Sequence, residues 1–178
     1  MKKKALYSYA VLLVILISAH ASSLRFLDYV VPVYMLAAPL LLGTRIRIGL
    51  SVRQIVFAVI VSFVILIPYL FFFSPAGRLV LLGPGALAFQ LLGVSLPEEI
   101  FFRGFLQETL GNNLRTVFFT SILFAVAHLP AFFFSGDTFA LLTFFPSLLM
   151  GILYLRTSNV VPPTIFHFLS NVLYLGSL

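Results

Sequence analysis

Two adjacent acidic residues, Glu98 and Glu99, stand in a strongly apolar stretch of this sequence. A charged side chain at the centre of a membrane helix costs about 3 kcal/mol or more, and such residues usually face the bundle interior and mark function. The whole chain contains only five acidic residues. The presence of two of these five acids within one apolar, membrane-spanning stretch therefore indicates a functional site.

The two glutamates differ in their expected partners. Glu99 and Arg103 are four residues apart, a helical spacing that predicts an ion pair within the membrane and lowers the cost of both charges. Glu98 lies about 100° further round the helix. Its carboxylate is therefore expected to face a different direction and to stay unpaired by Arg103.

Three further polar residues occur in the apolar segments that follow: His128 in one segment, and His167 and Asn171 in the last. His167 and Asn171 are four residues apart, so both side chains should project from one helix face. Together with Glu98 they suggest hydrolysis of an amide. The carboxylate could act as general base on a water, and one histidine could orient that water. The second histidine and the asparagine amide could stabilise an oxyanion, at about 2.7–4 kcal/mol per donor.

Each of these residues also has a plainer interpretation. A single histidine or asparagine in a helix bundle is usually a hydrogen-bonding group between helices. Glu98, His128 and His167 could instead bind zinc, but the H-E-x-x-H signature is absent, so we rank a metal-free mechanism higher. A proton relay in a small transporter is a third possibility, although the chain shows no internal repeat. The joint occurrence of the four residues favours the hydrolase.

Composition defines the elements that must position this site. Hydrophobic residues make up 61% of the 178 residues, charged residues make up 9%, and mean hydropathy is +1.14. These values predict an all-α, polytopic transmembrane bundle. We expect one transmembrane domain over residues 1–178, with a catalytic core at about 86–178. No cysteine is present, which excludes disulfides and thiolate chemistry.

About seven apolar segments approach the length needed to span a bilayer. The fourth could instead be a re-entrant piece (Ala86–Val94) followed by a helix that starts near Pro97. The seven are Ala5–Ser22, Tyr29–Gly43, Gln54–Phe73, Ala86–Leu110, Thr116–Phe134, Thr138–Leu155 and Val160–Leu178.

The net charge of +6 reflects membrane topology rather than nucleic-acid binding. With a cytoplasmic amino terminus, only Arg25 and Arg78 fall outside, and Arg103 lies within the membrane. The remaining basic residues fall on the cytoplasmic side. They are Lys2, Lys3, Lys4, Arg45, Arg47, Arg53, Arg115 and Arg156. The first segment also has the features of a cleaved secretory signal, but we expect a retained helix.

At the residues of the candidate site, the sequence resembles the CPBP family of intramembrane proteases, also called the CAAX-processing or Abi family. That family carries three motifs in order: Glu-Glu-x-x-x-Arg, Phe-x-x-x-His and His-x-x-x-Asn. Here they are Glu98-Glu99-Ile100-Phe101-Phe102-Arg103, Phe124-Ala125-Val126-Ala127-His128 and His167-Phe168-Leu169-Ser170-Asn171. The resemblance covers about the C-terminal half of the chain.

The resemblance implies a glutamate-dependent endopeptidase without a cofactor. Glu98 would activate water with help from His128, while His167 and Asn171 would form the oxyanion site. Glu99 and Arg103 would support the helix. Family members cut near the C-terminal end of membrane-anchored or lipidated proteins, either after a prenylated cysteine or at bacterial sorting tails.

The compact chain favours a prokaryotic member in the cytoplasmic membrane, whose partners are the lipid bilayer and a membrane-anchored peptide or protein. The alternatives that remain are a non-catalytic scaffold or bacteriocin-immunity factor and a small proton-coupled transporter. The sequence carries no information on the oligomeric state.

Overall fold

The computed structural model describes residues 1–22, 24, 26–73 and 80–177. Helix accounts for 84% of the described residues, which contain no strand, and this confirms the all-α prediction. Seven helices follow one another in this part of the chain, with a short 3₁₀ turn at Thr138–Leu142. They are α1 (Lys2–Ala21), α2 (Leu27–Leu41), α3 (Val52–Phe73), α4 (Pro84–Leu110), α5 (Leu114–Ser135), α6 (Phe144–Thr157) and α7 (Val161–Ser177).

Each predicted segment corresponds to one helix, and the clearest difference is at the sixth. Residues Thr138–Leu142 form the 3₁₀ turn, and α6 begins only at Phe144. The Oδ1 atom of Asp137 accepts a hydrogen bond from the backbone N–H of Phe139 at 3.0 Å, which starts this turn. The shorter α6 carries Pro146 in its first turn, a position that proline favours.

The fourth segment is one continuous helix, so the alternative of a re-entrant piece with a break near Pro97 is wrong. Within α4, Gln90–Ser95 and Ile100–Gln107 are π-helical. Proline lacks an N–H and crowds the preceding turn, and a wide turn before it accommodates both effects. The helix therefore continues past Pro97 and carries Glu98 and Glu99 in its middle.

The length and apolar character of three helices, α1, α4 and α5, are sufficient to cross a membrane. Helices α2 and α6 and the part of α3 over Val52–Pro68 are apolar but shorter. The 15 residues of α2 reach only about 22 Å at helical rise. A span count of seven thus stays a prediction.

Basic residues of several helices lie at one end of the bundle. The carbonyl of Arg47, just before α3, accepts from the N–H of Val160, just before α7, at 3.1 Å. The guanidinium of Arg47 lies 3.5 Å from Glu108 near the end of α4. Glu108 also accepts from the hydroxyl of Tyr154, near the end of α6, at 3.1 Å. Successive helices therefore alternate in direction here, as the charge pattern predicts. Arg25 and Arg78 lie outside the described residues.

The hydrophobic core surrounds the middle of α4. Phe101, Phe102, Phe105 and Leu106 are all at most 2% exposed and pack with residues of α1, α2, α5, α6 and α7. The hydroxyl of Tyr9 also donates to the carbonyl of Leu123 at 2.7 Å, which joins α1 to α5. Because large aromatic side chains pack on α4 from several directions, its rotation in the bundle is well defined. Both glutamates of α4 lie beside His167 of α7.

Candidate active site

A buried ion pair lies at the centre of the site. The Nε atom of Arg103 is 3.2 Å from Oε2 of Glu99, and both side chains are 0% exposed. The Nη2 atom of Arg103 also donates to Oγ of Ser147 on α6 at 3.1 Å. Its guanidinium carbon lies 5.0 Å from the ring centroid of Phe124, within cation–π range. The ion pair predicted from the four-residue spacing is confirmed.

His167 lies between the two glutamates. Its Nδ1 is 3.0 Å from Oε1 of Glu99, and because a carboxylate accepts, this nitrogen carries the proton and donates. Its Nε2 is 3.8 Å from Oε2 of Glu98. One imidazole therefore faces two adjacent carboxylates, one at each nitrogen. The contact with Glu99 fixes the ring, as second partners of functional histidines commonly do.

The carboxylate of Glu98 is the less constrained of the two. Its side chain is 16% exposed, and its Oε2 atom is buried without a hydrogen-bond partner among the described residues. The separation from His167 exceeds a hydrogen-bond length. Oε2 of Glu99 and Nε of Arg103 also lack a hydrogen bond to a described residue, but these two atoms form an ion pair at 3.2 Å, whereas Glu98 has no ion pair with a described arginine. Glu98 is thus the carboxylate that can receive another group.

His128 approaches the same region from α5. Its Nδ1 lies 2.8 Å from the carbonyl oxygen of Phe124, one turn earlier, and since a carbonyl accepts, Nδ1 is the donor. The Phe124 ring contacts both imidazoles, at centroid distances of 4.5 Å to His128 and 5.8 Å to His167. No hydrogen bond or ion pair joins His128 to Glu98 or His167 in the described part of the chain. In a neutral ring, its Nε2 is an acceptor.

Asn171 lies one turn beyond His167 on α7. Its Nδ2 donates to Oε1 of Gln90 on α4 at 3.3 Å. We did not anticipate Gln90 from the sequence. Its polar side chain within the apolar Ala86–Leu92 stretch was the available signal. This hydrogen bond connects Asn171 of α7 to α4.

Two other buried polar residues, Ser147 and Gln107, were also missed. Both are 0% exposed, and Gln107 Nε2 donates to the carbonyl of Gly151 at 3.0 Å. Gln107 extends the four-residue spacing of Glu99 and Arg103 by one step, which was a usable signal. Their contacts connect α4 to α6, so they support the helix that carries the glutamates.

The three residues considered as zinc ligands do not form a metal site in the described part of the chain. Among residues 1–22, 24, 26–73 and 80–177, no group of three or more His, Asp or Glu side chains is arranged to hold a metal ion. The Nδ1 atom of His167 is already bonded to Glu99, which leaves one free nitrogen on that ring. In this region the carboxylate of Glu98 lies beside an imidazole whose other nitrogen is held by Glu99.

Comparison with known protein families identifies the group to which this site belongs. Residues 80–173 match the family model described as type II CAAX prenyl endopeptidase, Rce1-like. This stretch is just over half of the chain and contains every residue of the site. The chain belongs to the Rce1-like family. No curated protein and no solved structure matches it significantly.

Membership confirms the CPBP resemblance seen in the three motifs. The Rce1-like family indicates an intramembrane endopeptidase that acts on membrane-anchored proteins in the bilayer. With its apolar helices, the chain is accordingly an integral membrane protein.

Proposed function

We propose that this Rce1-like chain is a glutamate-dependent intramembrane endopeptidase in which Glu98 is the general base. The observation that carries the proposal is the buried Oε2 atom of Glu98, which makes no hydrogen bond to a described residue and lies 3.8 Å from Nε2 of His167. Glu99 is a poor candidate for this role, because Arg103 and His167 already occupy its two oxygens. In this proposal Glu98 is the catalytic residue, and Glu99 holds Arg103 and His167 in place.

In the proposed reaction, Glu98 takes a proton from a water molecule as the water oxygen attacks the scissile carbonyl carbon. The carbonyl oxygen becomes an oxyanion in a tetrahedral intermediate. The C–N bond then breaks, and the proton held by Glu98 passes to the leaving amine. The products are a new carboxyl terminus and a free amine, and no covalent bond to the enzyme forms.

The other three polar residues fit the remaining steps. Because Nδ1 of His167 donates to Glu99, only its Nε2 can meet the substrate. A protonated His167 can donate Nε2–H to the oxyanion while the two carboxylates balance its charge. Asn171 supplies a second donor through Nδ2. His128, whose Nδ1 is bonded to a carbonyl, offers Nε2 as an acceptor that orients the attacking water.

The proposed substrate is a membrane-anchored or lipidated protein cut near its C-terminal end. A prenylated cysteine and a bacterial sorting tail are both compatible with this description, and we place the enzyme in a prokaryotic cytoplasmic membrane. The proposed mechanism uses no metal ion. Glu98 supplies the base, His128 orients the water, and His167 and Asn171 supply the oxyanion donors, which are roles that a metal would otherwise fill.

The test is cleavage by the purified chain in liposomes that contain either a farnesylated C-terminal peptide or a transmembrane sorting-tail peptide. Mass spectrometry should show a fragment pair whose summed mass exceeds the substrate by one water. Activity should persist with a chelator present. Binding without any fragment would favour a scaffold or immunity factor, and chelator inactivation reversed by zinc would overturn the metal-free mechanism.

A further inference from the structure

A cavity separate from the candidate active site lies between α3 and α6. Its volume is about 820 Å³, at the upper end of the ~300–1,000 Å³ that is usual for small-molecule sites. The wall is largely apolar and is formed by Phe57 and Val61 of α3 and Leu149, Ile152 and Leu153 of α6. None of Glu98, His128, His167 and Asn171 lines it. Within a bilayer, such a groove is open to lipid chains.

Two arginines stand at the end of this groove. Arg53 and Arg156 both line it, both are exposed, and neither makes an ion pair with a described residue. No acidic side chain is among its described lining residues. The groove therefore combines an apolar channel with two uncompensated positive charges at its mouth.

Hydrogen bonds connect the polar residues beside the two arginines. Gln54 Nε2 donates to the carbonyl of Thr157 at 3.5 Å, and Asn159 Nδ2 donates to Oε1 of Gln54 at 2.7 Å. Asn159 also bonds both backbone groups of Gly49. These contacts join the starts of α3 and α7 to the end of α6. The helix ends that carry the two arginines are therefore connected to each other by hydrogen bonds.

We propose that this groove is a binding site for an anionic phospholipid. The phosphate would lie between Arg53 and Arg156, and an acyl chain would lie along Phe57, Val61 and Ile152. Charge complementarity favours an anionic over a zwitterionic lipid, because each basic residue near the membrane surface adds attraction to negative headgroups. The arginines also lie at the end of the bundle where the basic residues collect, which is level with lipid phosphates in the predicted topology.

Native mass spectrometry of the detergent-purified chain tests the proposal. Dioleoyl-phosphatidylglycerol should bind at one site about tenfold or more tightly than dioleoyl-phosphatidylcholine, given two arginines. The double variant Arg53→Gln/Arg156→Gln should lose this preference. The matched control Arg115→Gln removes a charge from the same end of the bundle without altering the groove, and it should keep the preference. Glycerol phosphate, the headgroup without chains, should not compete.

A second variant tests the apolar part of the site. Ile152→Trp should fill the groove and weaken binding of both lipids, with an unchanged helical circular-dichroism spectrum. Equal affinities of the wild-type chain for the two lipids would overturn the proposal, as would an undiminished preference in the double variant. A dimer that Ile152→Trp abolishes, without any lipid preference, would assign the groove to a second copy of the chain instead.

Discussion

Glu98 and Glu99 are consecutive residues whose carboxylates have different partners. Glu99 is held by Arg103 at 3.2 Å and by His167 at 3.0 Å, and it is 0% exposed. Glu98 lies 3.8 Å from Nε2 of His167 and makes no ion pair with a described arginine. A helix turns by about 100° per residue, so the two side chains point in different directions, and it is Glu99 that pairs with Arg103.

Glu99→Gln is expected to destabilise the protein strongly. It leaves the buried guanidinium of Arg103 without its counter-charge, and breaking a buried pair in this way costs about 3–5 kcal/mol. Unfolding in mixed micelles with increasing SDS measures the loss. The matched control is Glu98→Gln, which should cost less stability than Glu99→Gln because it leaves the Glu99–Arg103 ion pair in place. Equal losses in the two variants would contradict the division of roles.

Asn171→Ala is expected to lower kcat by about 10²–10³, the usual effect of removing one oxyanion donor. His167→Ala should be more damaging, since it removes a donor and also the partner of Glu99. Single-turnover cleavage in liposomes compares the two variants. An Asn171→Ala protein with wild-type kcat would exclude Asn171 from the oxyanion site.

The residue types and spacings predicted the Glu99–Arg103 ion pair but not the contacts between helices. The Glu99–Arg103 pair lies within one helix, so the four-residue spacing was sufficient. The contact of both glutamates with His167 depends on the distance and rotation between α4 and α7. Those are set by packing of large side chains such as Phe101 and Phe166, which a local pattern does not contain.

At the scale of elements, α4 is the helix that positions the glutamates. Its existence follows from its apolar composition, whereas its two π-helical stretches do not follow from a period of 3.6 residues. Ser147 and Gln107 connect α4 to α6, and α6 also packs against α5. Gly151 lies in this tightly packed region.

Gly151→Ala is expected to destabilise the protein by about 1–3 kcal/mol, the usual cost of overpacking. A Cβ at Gly151 would lie 2.7 Å from Cγ1 of Val117 on α5, and a β-branched side chain in a helix has little freedom to move. Gly85→Ala is the control, because nothing lies within 4 Å of a Cβ there. Thermal inactivation curves of the two variants should separate them, and coincident curves would contradict this packing.

For the whole molecule, the alternation of helix directions agrees with the charge pattern. Contacts among Arg47, Glu108, Tyr154 and Val160 bring the ends of four elements together at the basic end. The positive-inside rule predicted this grouping because it acts on the chain as a whole. The positive-inside rule also predicts which end of the bundle faces the cytoplasm, whereas the packing of the helices does not.

Cysteine labelling tests the predicted orientation. The chain has no native cysteine, so each single-cysteine variant reports one position. In intact bacterial cells, a membrane-impermeant maleimide should label Ser135→Cys at the end of α5. Lys3→Cys and Arg115→Cys should be labelled only after permeabilisation. Labelling of Arg115→Cys from outside would reverse the proposed topology.

Cleavage by the Glu98→Gln variant tests the central claim most directly, because glutamine keeps the size of the side chain but cannot accept a proton from water. The assay compares it in liposomes with the wild-type chain and with Glu108→Gln, which alters an acid on the same helix outside the site. Glu98→Gln should lose at least about 10³-fold in rate with its fold intact, while Glu108→Gln stays active. Wild-type cleavage by Glu98→Gln would contradict the account.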